Sequence, residues 1–187
     1  MIIYLVRHGQ DDNSIRGGWS KHSLTDIGIK QSETLADELF KNNTKHKITK
    51  IYSSDLKRAS QTANIIADKL NLNVDFIPQF REVNNGDLAG LKNKIADEKY
   101  PNLYWRSLDW EQRYPNGESP KEFYERIKSA WESFVNSFSD DNGNIILVTH
   151  GGVINIIKAI VNNEEYSNKI KYEGIPSAKL IPIYYED

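Results

Sequence analysis

The sequence predicts an α/β fold: a three-layer sandwich with a central, mostly parallel sheet and helices on both faces. Three observations predict it. Short runs such as Ile2 to Val6 and "NIILV" (144–148) are almost continuously apolar and rich in β-formers, as strands covered on both faces must be. Longer segments place apolar residues at every third and fourth position, the period of a helix with one buried stripe. The two kinds of segment then alternate along the chain, which is the order that builds a parallel sheet through helical crossovers.

Each element follows from its own residues. After the first strand, "LTDIGIKQSETLADELFKNN" reads as a helix opening near Thr25 or Asp26, with Ile27, Leu35, Leu39 and Phe40 toward a core and Gly28 weakening its first turn. "ITKIYSS" is a second strand. In the helix "RASQTANIIADKL", Ala59, Ala63, Ile66, Ala67 and Leu70 fall on one stripe. "NVDFIP" reads as a third strand closed by Pro78. From Pro120 onward Phe123, Ile127, Ala130, Trp131, Phe134 and Phe138 recur at helical spacing. "NIILV" is a buried strand, "GGVINIIKAIV" restarts as a helix, and "AKLIPIYYE" reads as a last strand at a sheet edge, because Pro182 cannot donate to a ladder.

Composition narrows the function. The 187 residues suit one domain, 1–187, with an aromatic-rich, lid-like segment at about 92–117. No apolar run is long enough to cross a bilayer, and no charged stretch and cleavage pattern mark a signal peptide, so a cytoplasmic protein without a membrane partner is expected. A net charge of -2 gives no pull toward nucleic acid. With no cysteine, thiolate chemistry and disulfides are excluded. The four histidines, His8, His22, His46 and His150, include no pair at helical ligand spacing, so neither metal nor other cofactor is expected, and His22 and His46 are read as surface residues.

The chemistry concentrates at strand ends. In open α/β sheets the carboxyl ends of the strands face the ligand crevice, so "VRHG" and "VTHG" deliver His8 and His150 to one rim. "SSDLKRAS" adds Arg58, and "PQFREVNNGDLAG" adds Glu82. A phosphate monoester carries a charge of roughly -1.5 to -2 and three acceptor oxygens, which the guanidinium forks of Arg7 and Arg58 match. The helix starting at Gly151 aims its positive end at the same anion. An imidazole can itself take the phosphoryl group and pass it to water, and His8 is the candidate.

Bland alternatives stand beside these readings. His8 and His150 could cap strand ends, Arg58 could be solvated, and Glu98, Glu111 or Glu118 could supply the carboxylate in place of Glu82. An arginine beside His8 at a buried strand end nevertheless calls for an anionic partner.

"VRHGQ", "SSDLKRASQTA", "FREVNNGDLAGL", "NGESPKEFYERI" and "VTHGGVI", in that order, resemble the histidine phosphatase superfamily, also called phosphoglycerate mutase-like, from Ile2 to about Ile157. The resemblance implies that fold and a set of roles. His8 would be the phosphorylated histidine, Arg7 and Arg58 the phosphate-pocket arginines, His150 the second pocket histidine and Glu82 the general acid and base. Gln10, Ser14 and Gly151 would complete the phosphate contacts. Where many members follow the first histidine-glycine with Glu-Thr and a later asparagine, this chain has Gln10, Asp11 and Ser14, and Asp11 is expected to turn away from the anion. Leu88 and Ala89 replace a tryptophan and a glutamate found in many members, a change that bears on packing.

The implied activity is metal-independent hydrolysis of a small phosphorylated metabolite through a phosphohistidine. Cofactor-dependent phosphoglycerate mutation and a catalytically silent phosphate-binding module are the alternatives, and family mutases are longer, with an insertion around the pocket. Trp19, Tyr104 and Trp105 are candidate substrate-pocket walls. The aromatics of "EKYPNLYWRSLDWEQRYPNGE" form either a lid or a small separate core. The oligomeric state, monomer or homodimer, stays open.

Overall fold

The computed structural model describes residues 1–138 and 143–184. The strands are β1 (Ile2–Arg7), β2 (Ile48–Ser53), β3 (Val74–Phe76), β4 (Asn144–Thr149) and β5 (Leu180–Tyr184). The helices are α1 (Asp26–Lys41), α2 (Asn43–His46), α3 (Lys57–Leu70), α4 (Asn93–Lys99), α5 (Pro120–Val135) and α6 (Gly151–Val161).

The strands form one sheet in the order β3-β2-β4-β1-β5, with β5 antiparallel to β1 and the other pairs parallel. Side chains alternate across it, and two cores result. Ile3, Leu5, Ile145 and Leu147 meet Phe123, Ile127, Trp131 and Phe134 of α5 and the apolar face of α6. Tyr4, Val6, Ile146 and Val148 meet Leu35 and Leu39 of α1 and the alanine stripe of α3. Strands β1 and β4 face both cores, which is why they are apolar from Ile2 to Val6 and from Ile145 to Val148.

The edge reading of the last strand holds, since exposed Pro182 lies opposite Tyr4 on a strand paired with β1 alone among the described residues. Tyr185 and Glu186, which belonged to that reading, lie outside the described residues. Helix α5 ends at Val135, short of Phe138, which still packs edge-on against Phe134 at 4.8 Å.

Helix α1 departs from its expected face. Its buried residues are Gly28, Ser32, Leu35, Ala36 and Leu39, whereas Ile27 and Phe40 are more than half exposed. The cause is a close approach of two backbones: a Cβ on Gly9 would lie 2.3 Å from the Gly28 carbonyl oxygen, and one on Gly28 would lie 2.1 Å from that of Gln10. Gly28 therefore seats the helix against the loop after β1, and that contact turns Ile27 outward. Thr25 caps the helix by accepting from the Gly28 amide.

Two further surface assignments are corrected. His46 packs edge-on against Tyr4 at 5.4 Å, and His22 is half-buried beside Gly90, with its Nδ1 enclosed.

Candidate active site

Register brings the two motif histidines together. Arg7 pairs with Thr149 across neighbouring parallel strands, so the next residues, His8 and His150, leave the same rim side by side, their ring centroids 5.1 Å apart.

Partners define the His8 tautomer. Its Nδ1 lies 2.7 Å from the Gly9 carbonyl, which can only accept, and its Nε2 faces the Nε–H of Arg58 at 3.1 Å, which can only donate. The ring is therefore neutral, with its proton on Nδ1 and the Nε2 lone pair toward Arg58. Burial, followed by the charge of Arg58, lowers its pKa to about 3. His150 is fully buried, and burial with the charge of Arg58 holds its pKa well below the usual value. Its Nε2 lies 2.9 Å from Ser54 Oγ, while its Nδ1 is buried without a partner among the described residues.

Backbone carbonyls around the hollow hold the guanidinium groups. Arg7 donates through Nη1 to the Ile175 carbonyl at 2.9 Å, and its Nε is buried and has no partner among the described residues. Arg58, 2% exposed, donates to the Gly18 carbonyl at 2.8 Å and to Ser20 Oγ at 3.4 Å. Arg7 Nε and His150 Nδ1 are thus two enclosed polar atoms that lack, among the described residues, the hydrogen-bond partner buried polar groups ordinarily have.

Glu82 reaches the rim through the loop after β3. The Phe80 side chain is buried, and its carbonyl accepts from Thr149 Oγ1 at 2.8 Å, docking the loop on the end of β4. Glu82 then accepts from the Val83 amide at 3.0 Å and from the Gly152 amide at 3.1 Å, so it caps the exposed end of α6 where His150 does not. Arg126 anchors this loop from below. It donates to the carbonyls of Gln79 (2.6 Å), Arg81 (3.1 Å) and Glu82 (3.2 Å) and forms a bidentate pair with Glu118 at 2.7 and 2.8 Å. Trp19 adds an indole bond to the Glu82 carbonyl at 2.7 Å.

Arg7, His8, Arg58, Glu82 and Gly151 line a polar cavity of about 410 Å³, and the fully buried His150 stands behind that lining, against His8. The rival carboxylates lie elsewhere: Glu118 is spent on Arg126, Glu111 pairs with Lys121 at 2.7 Å, and Glu98 is exposed.

Several expected contacts are placed differently. Asp11 lines the cavity instead of turning away, with Oδ2 3.4 Å from Arg58 Nε, because that guanidinium sits against its loop. Ser14 is exposed: its amide bonds Asp12 Oδ1 at 2.8 Å in a tight turn, and that turn presents Asn13 and Ile15 to the cavity. The backbone of Gln10 is tied to Gln31 and Thr25, away from the cavity lining. Trp19 stands behind Glu82, beneath the Arg81 guanidinium at 4.8 Å. Tyr104 is 43% exposed, bonded to Asp97 and covered by Arg16.

The aromatic segment divides between the two roles considered for it. Leu108 and Tyr114 form a small core with Leu88, while Trp105 and Tyr114 also line a second cavity adjoining the first. Sequence reasoning missed Arg126 and Asn13. The fourth motif carries Glu118 and Arg126, whose opposite charges were the available signal for the first.

Fold and hollow together define an α/β protein with two neutral imidazoles and two guanidinium groups converging at the carboxyl rim of a parallel sheet. The chain belongs to the histidine phosphatase superfamily (branch 1), whose sequence profile matches residues 3–187. It is 32% identical over 175 residues to the metal-independent phosphoserine phosphatase of Arabidopsis thaliana, covering 90% of this chain and 71% of that one. It is 35% identical over 159 residues to phosphoglycerate mutase-like protein 4 of the same plant, covering 81% and 67%. The structure of a mycobacterial glucosyl-3-phosphoglycerate phosphatase complexed with VO3 superposes with a TM-score of 0.79 at 28% identity, over 97% of this chain and 90% of that one. Phosphatases among these relatives support a histidine-superfamily phosphatase.

Proposed function

We propose that the protein hydrolyses a small phosphomonoester, without a metal, through a phosphohistidine on His8. The observation that carries this reading is the His8 tautomer, neutral and with its Nε2 lone pair held toward Arg58 on the cavity that both residues line. Substrate phosphate enters against Arg7, Arg58 and His150, and the Arg58 Nε–H moves from His8 to a phosphoryl oxygen. The freed Nε2 attacks phosphorus in line as the ester P–O bond breaks, and Glu82 gives its proton to the leaving oxygen, releasing the alcohol. Glu82 then takes a proton from water. The water oxygen bonds to phosphorus, the N–P bond breaks, and inorganic phosphate leaves a neutral His8. Arg7, Arg58 and His150 offset the charge spread over the equatorial oxygens, so positioning and electrostatics supply most of the acceleration.

The location of Glu82 supports its role, because it lines both adjoining cavities and so stands between phosphoryl group and leaving alcohol. Incubation with 3-phosphoglycerate and a bisphosphoglycerate primer tests the reading against mutation. Phosphate release is expected to outpace isomerisation, and the reverse order overturns it. A protein that binds phosphate but hydrolyses no phosphomonoester would be the silent module instead.

Asp11 gives an expected result of its own. Its carboxylate shares the hollow with the incoming dianion, and like charges a few ångströms apart repel even in a partly hydrated site. Asp11→Asn is expected to tighten competitive inhibition by inorganic phosphate by about threefold to tenfold at low salt, with a smaller gain at high salt. An inhibition constant that is unchanged or weaker would show that Asp11 does not oppose the anion.

A further inference from the structure

The second cavity, of about 430 Å³, adjoins the phosphate hollow and shares Gly18, Glu82, Asn155 and Tyr172 with it. Given the reaction proposed above, on which this inference rests, the ester alcohol lies there when the phosphoryl group is at His8. Three features describe what that alcohol must be.

The first is a ladder of parallel rings. Tyr124 stacks on Tyr166 at 5.6 Å and 11°, and Tyr166 stacks on Tyr172 at 5.4 Å and 10°. Tyr166 is buried, whereas Tyr172 is half-exposed and lines both cavities, so the ladder ends at the substrate space. The Tyr172 hydroxyl accepts from the Ser167 amide at 3.1 Å, which holds the ring in place.

The second is a further aromatic cluster on the cavity lining. Trp105 lies parallel to Tyr114 at 6.5 Å and edge-on to Phe123 at 5.7 Å, and all three line the cavity. The carbonyl of Trp105 accepts from Asn168 at 2.9 Å, and Asn168 is itself buried. These faces are therefore pre-organised rather than assembled on binding.

The third is unspent polar capacity. The Asn155 side chain, at the junction of the cavities, makes no hydrogen bond among the described residues, and Arg106 and Lys171 on the wall form no ion pair among them. A cavity of this size suits a body much larger than the alcohol of phosphoserine or phosphoglycerate.

We propose that the substrate is a phosphomonoester whose alcohol carries a planar heteroaromatic ring of about nucleobase size, stacked on Tyr172, with its polar edge toward Asn155 and the two wall cations. A saturated or acyclic alcohol can reach Asn155 and the cations with hydroxyl or carboxylate groups but offers no flat face to extend the ladder.

Adenosine 5′-monophosphate, uridine 5′-monophosphate and pyridoxine 5′-phosphate serve as ring-bearing probes, and ribose 5-phosphate, glucose 6-phosphate, phosphoserine and 3-phosphoglycerate as ring-free ones. All release an alcohol, and the nucleotides differ from ribose 5-phosphate chiefly by the base. At least one ring-bearing ester is expected to exceed every ring-free one by about tenfold in kcat/KM, the scale of one base stacked on an aromatic side chain. Tyr172→Ala is expected to lower kcat/KM for that ester at least tenfold more than for ribose 5-phosphate, and Tyr172→Phe to retain the preference. Thermal unfolding of both variants separates lost stacking from lost fold. A ring-free ester hydrolysed faster than every ring-bearing one overturns the inference and leaves the proposed reaction standing, as does an equal loss on both esters in a folded Tyr172→Ala protein. Failure to hydrolyse any of the seven, with no labelled phosphohistidine, overturns the proposed reaction and this inference with it.

Discussion

His8→Ala is expected to abolish phosphate release, by about a thousandfold or more, and to yield no acid-labile phosphoenzyme when the protein is mixed with a labelled ester and quenched in alkali. Loss of a nucleophile removes the covalent route entirely, and what survives is the contribution of binding and electrostatics. Near-normal turnover in this variant would end the proposal. The same substitution carries an internal control on folding. His8 is neutral and buried, with its pKa lowered to about 3, whereas in the unfolded chain it titrates near 6.5. Below about pH 6.5 the unfolded state therefore binds the extra proton, and stability drops by about 1.4 kcal/mol per pH unit for this one group until the pH reaches its folded pKa. His150 adds a decline of the same sign, because its pKa is lowered too. His8→Ala removes one of these two slopes. Its urea midpoint is expected to fall less than that of the native protein between pH 7 and pH 4.5, and parallel declines would contradict the neutral, buried state of His8.

Glu82→Gln is expected to slow hydrolysis of alkyl phosphates by about 10² to 10⁴-fold, the usual contribution of a positioned acid and base. The leaving group should govern the first step. An alkoxide needs the proton that a glutamine cannot give, whereas p-nitrophenolate departs without one. With p-nitrophenyl phosphate the variant should therefore show a burst of nitrophenol followed by slow turnover, as the phosphoenzyme waits for an unassisted water. Equal slowing of both ester types, with no burst, would remove Glu82 from the proton path. Glutamine keeps one oxygen for the Val83 or Gly152 amide, so a stability loss of about 1 to 3 kcal/mol accompanies the substitution and is separable by its melting curve.

The convergence of His8 and His150 was legible because it depends on strand direction alone. Two apolar runs in one parallel sheet must end at the same rim, and the pairing of Arg7 with Thr149 makes the histidines immediate neighbours. The alanine stripe of α3 and the apolar stripe of α5 from Pro120 onward were legible for a similar reason, since both are local patterns. The outward turn of Ile27 was not. Its position depends on the Gly9 and Gly28 backbones meeting, a contact between segments whose approach no local period encodes. The inward turn of Asp11 and the outward turn of Ser14 belong to the same class, because a loop side chain points where its turn and its neighbours direct it. Arg126 escaped notice because one residue of a long amphipathic helix gives no sign that it will gather three carbonyls and Glu118 from distant loops.

From its sequence alone, then, this protein declared an alternating α/β order, the strand ends that carry its imidazoles and guanidinium groups, and the family to which those motifs belong. Tertiary structure decided the rest: the tautomer of His8, the anchoring of Glu82 on the end of α6, the acid inside the hollow and the ring ladder beside it. The division has a physical cause. Periodicity and strand polarity are properties of adjacent residues, whereas protonation, cavity shape and stacking arise from groups that meet only after the chain has packed.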